Sequence, residues 1–193
     1  MSSRPVPVRL LVTHVVAALI VLAAPAAQAR TDIEGYASYE GATGCSPRPK
    51  PGTEALARWI VRTRGGAFGG ISRQCSRDSV SEHEEGRAFD WTLDAGRRRD
   101  RQVAARFLAL VRATDRAGNT DARARRMGIM YIIWNDHVYK SYDDEFARRD
   151  YLSGSCPRVE RCSPTLRHRD HMHISLSVAG ARGRTSWYDG RLG

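Results

Sequence analysis

The chain has 193 residues, 41% of them hydrophobic, with 31 Lys and Arg against 21 Asp and Glu for a formal net charge of +10. That length and apolar share support one ordinary domain with its own core, and no repeat or low-complexity tract interrupts it. The charge favours anionic partners, but the basic clusters at 96–101 and 121–126 carry no interleaved aromatics, which argues against a nucleic-acid stacking platform.

Residues 1–29 read as a secretory signal. Arg4 and Arg9 give a positive start, an apolar run follows over 10–24, and Ala27 and Ala29 sit in the small-residue positions before a cut at Ala29/Arg30. The run is too short for a membrane span and Thr13 and His14 interrupt it. No second apolar stretch follows, so the mature chain is expected to be secreted, cell-wall associated or extracellular, monomeric and without stable membrane insertion. Losing Arg4 and Arg9 takes the net charge from +10 to near +8. Cys45, Cys75, Cys156 and Cys162 form an even set with no CxxC pair, which in an exported chain favours disulfides over zinc thiolates. Of the three pairings possible, Cys45–Cys75 and Cys156–Cys162 are favoured.

Residues 30–52, rich in Gly, Ser, Pro and Tyr, read as an N-terminal arm, and the domain proper as 53–193. Thr53 is placed to cap a helix with Leu56, Trp59 and Ile60 on one face, stopped by Gly65 and Gly66. A short strand is expected over 68–75. Over 88–93 the pattern alternates, with Phe89, Trp91 and Leu93 on one side and Ala88, Asp90 and Thr92 on the other. Val103, Phe107, Leu110 and Val111 then recur at helical spacing. A short basic helix through Arg126 precedes the continuous apolar run of 128–134, a strand buried on both faces. Asn135 and Asp136 make a tight turn into a hairpin partner, 137–142. Residues 143–167 read as loop. Over 171–178 Met172, Ile174, Leu176 and Val178 alternate with His171, His173, Ser175 and Ser177. The fold class is therefore α+β: a single domain with helices packed on one face of a small, mostly antiparallel sheet and a polar cleft on the other.

Two strands thus present polar residues to one cleft, Asp90 on one and His171 and His173 on the other. His83 lies seven residues before Asp90, and a turn through Glu84, Glu85 and Gly86 would return it to Asp90. His83, Asp90 and His173 are ligand types that suit zinc, and three protein ligands leave a coordination position open for catalysis. Glu84 and Glu85 are expected to be solvated, and His168 simply exposed.

The stretch "SEHEEGRAFD" fits S-x-H-x-x-G-x-A-x-D through Ser81, His83, Gly86, Ala88 and Asp90, and "DHMH" adds D-x-x-H and H-x-H. These motifs resemble the zinc metallopeptidase superfamily of D-alanyl-D-alanine carboxypeptidases and dipeptidases, lysostaphin-type enzymes, murein endopeptidases and the hedgehog domain, and within it a subgroup of secreted actinobacterial proteins. The resemblance spans residues 68–176. It implies Zn²⁺ on His83, Asp90 and His173, and a general base that is Asp170 as in the carboxypeptidases or His171 as in the murein endopeptidases. Asp170 is preferred, because a carboxylate needs no tautomer choice; His171 would then steady substrate or oxyanion. Arg73, or Gln74, is placed for the oxyanion. The chain departs from the carboxypeptidases at Met172, where they carry Trp. The function implied is hydrolysis of D-Ala-containing bonds in peptidoglycan stem peptides, with stem peptides or anionic wall polymers as partners. A zinc-bearing, non-catalytic wall-binding domain is the alternative.

Overall fold

Five strands form one wholly antiparallel sheet in the order β1-β5-β2-β3-β4. The computed structural model describes residues 33–76 and 80–192, so the expected export signal lies outside the described residues. The elements in chain order are α1 (Pro51–Arg64), β1 (Ala88–Thr92), α2 (Arg98–Val111), α3 (Ala122–Met127), β2 (Ile129–Trp134), β3 (His137–Lys140), α4 (Ser141–Asp144), β4 (Arg148–Asp150), β5 (His171–Leu176) and α5 (Val178–Ala181).

Helix α1 begins earlier than the Thr53 cap implied. Pro51 opens it, where the missing N–H costs nothing, with Glu54 in the first turn and Arg62 and Arg64 in the last complementing the helix dipole. Lys50 stands at the cap position without a side-chain bond to the helix N-terminus, and Thr53 is buried inside the helix. Gly65, at φ 81°, ends it as expected. The buried face of α2 is Ala104, Phe107, Leu108 and Val111, so Leu108 takes the place expected for Leu110. Residues 68–75 contribute only a bridge between Phe68 and Trp91 rather than a strand. Asn135 and Asp136 both adopt positive φ, 49° and 65°, as a two-residue hairpin turn demands. Strand β5 stops at Leu176, because the Ser177 side chain accepts the Gly180 N–H and starts α5.

One layer of core joins α1, α2 and α3 to the sheet. Leu56 and Ile60 of α1, Phe107 and Val111 of α2 and Met127 of α3 pack with Phe89, Trp91, Met172, Ile174, Leu176 and Ile132 of the strands. Burying such side chains stabilises the fold by about 1.5–3 kcal/mol each. Residues one position out of phase with them must face the other side of the sheet. Both favoured disulfides are present, Cys45–Cys75 and Cys156–Cys162. Among the described residues no helix is long and apolar enough to cross a membrane.

Candidate metal centre

Asp90 and His173 are cross-strand partners in the β1–β5 register, so pairing alone sets them side by side on the face opposite the core. His83 reaches them from a turn. Glu84 N–H donates to Ser81 O, Gly86 N–H to His83 O and Arg87 N–H to Glu82 O, and these bonds fold 81–87 back to the start of β1. The result is a triangle of ligand atoms. His83 Nε2 and His173 Nδ1 are 3.1 Å apart, Asp90 Oδ1 is 3.1 Å from His173 Nδ1, and it is 3.4 Å from His83 Nε2. Three ligands of a tetrahedral ion with bonds of about 2.0–2.1 Å would be separated by roughly 3.3–3.4 Å. Among the described residues these three form the one group of this kind suited to hold a metal ion.

Their electrostatics agree with that use. Burial pushes the Asp90 carboxyl up, but hydrogen bonds and attraction from His173 and His83 outweigh it and hold it well below the usual carboxylate range. Burial pushes the His173 imidazole down, against the pull of Asp90. At neutral pH the donor set is therefore an anionic oxygen and a neutral His173, the states in which these groups bind metal. The other His173 nitrogen, Nε2, is buried with no hydrogen-bond partner among the described residues.

Of the other expected site residues, the structure brings in His171 and holds Asp170 one step back. His171 Nε2 lies 3.6 Å from Asp90 Oδ1, and its Nδ1 lies 2.7 Å from Asp170 Oδ1. The second Asp170 oxygen accepts from Thr165 Oγ1 at 2.5 Å. Arg167 and Arg169 bind Asp136 rather than Asp170. Burial raises the Asp170 pKa, while Thr165 and His171 lower it more, and the carboxylate stays ionised. Arg73 braces the turn: its Nη2 donates to Ser81 Oγ at 2.9 Å and lies 3.5 Å from Glu84 Oε1. Gln74 is exposed.

Three groups correct or extend the sequence reading. Glu84 is not solvated but 1% exposed, in that contact with Arg73, and Glu85 binds the arm through the N–H groups of Thr43 and Gly44. Tyr131 stacks on His173, centroids 5.4 Å apart and 19° from parallel, and donates to buried Glu82. His168 is not exposed: its ring lies 4.7 Å from that of His171 and 5.8 Å from that of His173, on a backbone with φ 50°. Its only cue in the sequence was the proximity of a third histidine to the H-x-H pair.

Burial, then repulsion from His173 and His171, takes His168 down to about 3. Between that value and the ordinary histidine value of about 6.5, the unfolded chain takes up a proton that the folded chain refuses. The stabilisation is complete above the upper bound and is lost as pH falls. His168→Asn, which tolerates positive φ, should flatten the decline by up to ~1.4 kcal/mol per pH unit for one proton. Urea denaturation of both proteins at pH 7, 6 and 5 in chelator checks this; parallel declines would return His168 to a solvated role.

No curated protein and no solved structure matches the chain. A family match does exist, and its limits follow the disulfides: it runs over residues 45–162, from the first cysteine to the last, taking in His83 and Asp90 but stopping short of His173. Because that match spans more than half of the chain, the protein belongs to the family described as VldE, C-terminal domain.

Proposed function

We propose that the chain is a secreted zinc-dependent peptidase of the D-Ala-D-Ala carboxypeptidase-like superfamily, acting on D-Ala-containing bonds of peptidoglycan stem peptides. The observation that carries this reading is the triangle of His83, Asp90 and His173 with His171 3.6 Å from its carboxylate. The two disulfides suit an oxidising compartment outside the cytoplasm, and a basic surface suits an anionic wall. A zinc ion bound there would polarise a scissile carbonyl and acidify water.

The protein's own groups divide the proton work. Asp170 accepts the His171 Nδ1–H, which fixes the tautomer and leaves Nε2 free on the side of Asp90. His171 Nε2 is therefore the proton acceptor, and Asp170 is a positioning residue one bond removed. This inverts the preference drawn from the resemblance, because the Asp170 oxygens are occupied by Thr165 and His171. Tyr131 fixes the His173 ring from its face, with its own hydroxyl tied to Glu82.

The test is release of D-alanine from stem peptides by zinc-loaded protein. His171→Ala should lower kcat about 10²–10⁴-fold, and Asp170→Asn less. Wild-type turnover by the double variant Asp170→Asn, His171→Ala would defeat the proposal. A non-catalytic wall-binding role is favoured by one observation: Met172, standing where the carboxypeptidases carry Trp, is buried in the core. Chelator-sensitive binding to purified wall without turnover is the result that role predicts.

A further inference from the structure

Four of the chain's seven tyrosines, Tyr39, Tyr131, Tyr142 and Tyr151, border a single groove of about 390 Å³. Its floor is the metal face of the sheet: Ile133 pairs with His173 on one side and with Val138 on the other. Tyr131 belongs to both places, since the ring that lines the groove is the one stacked on His173. Across from it the Tyr39 and Tyr142 rings meet at 5.1 Å, tilted by 51°. Tyr39 is 62% exposed and Leu152, also on the lining, 48% exposed, so aromatic and apolar surface stands open to solvent beside the triad.

The charge of the lining narrows the occupant. In a chain of net charge +10, the groove holds one base and one acid, Lys140 and Asp150, and Lys140 is already paired with Asp143. An anionic polymer would find no field there. Tyrosine faces are apolar, while the Tyr39 and Tyr142 hydroxyls and the two charged side chains offer hydrogen bonds at the rim. That combination matches an uncharged ring with apolar faces and a polar edge. We propose that the groove seats a saccharide ring, and that the substrate of the metal face is a glycan-linked peptide. Its sugar lies against Tyr39 and Tyr142, and its peptide passes Tyr131 to reach His83, Asp90 and His173. The substrate assignment rests on the hydrolase reading above; the sugar site does not.

The experiment is calorimetric titration of a β-1,4-linked N-acetylglucosamine trimer into metal-free, chelator-treated full-length protein. Saturable binding is expected, weakened about fivefold or more by Tyr39→Ala and by Tyr142→Ala, and largely retained in Tyr142→Phe, which keeps the ring face. Trp59→Ala, on a helix at the opposite face, should change nothing. The proposal is overturned by an absence of saturable binding, by an equal loss in Trp59→Ala, or by tighter binding of a neutral acetylated alanine tripeptide than of the sugar. Sugar binding without hydrolysis of any stem peptide by the zinc-loaded protein would sink the hydrolase reading and leave the saccharide site standing. Turnover of free stem peptides without sugar binding would do the reverse.

Discussion

Asp90→Ala is expected to abolish stoichiometric zinc binding, with an affinity loss beyond the roughly 10–100-fold that changes around a metal's ligands produce. Asp90 Oδ1 is the corner common to three imidazoles, 3.1 Å from His173, 3.4 Å from His83 and 3.6 Å from His171. Without it two imidazole nitrogens remain, and the only anionic donor of the set is gone. The measurement is competition against a chromophoric chelator, paired with thermal melts. In the wild type, zinc at 100 times Kd should add about 2.7 kcal/mol of stability, whereas the variant's melt should not respond to the ion. Asp90→Asn is the companion variant, since it keeps shape and a hydrogen-bond acceptor while removing the charge. It should hold the fold and still bind the ion poorly. Undiminished affinity in both variants would mean that the ion, if any, sits elsewhere.

What made this centre readable in advance was the period-two pattern of two strands. On β5, Met172 and Ile174 go into the core, so His171 and His173 must share the other face; on β1 the same holds for Asp90 against Phe89 and Trp91. Placing His83 took a turn through Glu84, Glu85 and Gly86, which has no period of its own, and the motif resemblance pointed to the same residue. Three things had little or no local signal. The neighbour relation of Tyr131 and His173 depends on β2 lying beside β5, which is a property of strand order. Strand β4, Arg148–Asp150, is a fully exposed edge held by pairing with β3, and a charged tripeptide carries no hydrophobic alternation to reveal it. His168 is half-buried by the return of a loop, and loop paths are set by contacts such as Asn135 N–H to His168 O rather than by composition. The same kind of override moved the α1 start: Thr53 had the chemistry of a cap, but Pro51 had the geometry of a first turn.

Gly86→Ala is expected to cost several kcal/mol of stability, on the order of 10 °C in Tm, and to weaken zinc binding with it. Gly86 has φ 67°, where an alanine is strained by about 1 kcal/mol whatever its surroundings. The surroundings add far more. A Cβ there would stand 2.0 Å from the Arg48 carbonyl oxygen and 2.8 Å from the Arg48 carbonyl carbon. Both are backbone atoms, so no rotamer change relieves the contact. That backbone is part of the N-terminal arm, bound to the turn by Lys50 N–H on Gly86 O and Ser46 N–H on Glu84 O. Either the arm lifts or the turn moves, and the turn carries His83. Gly190→Ala provides a matched control, with φ 68° and nothing within 4 Å of the added carbon. It should show the conformational cost alone and leave zinc affinity unchanged. Equal losses in the two variants would show that His83 is held by something other than the packing of the arm against its turn. A larger loss at Gly86, accompanied by weaker zinc binding, would make the arm a working part of the metal centre.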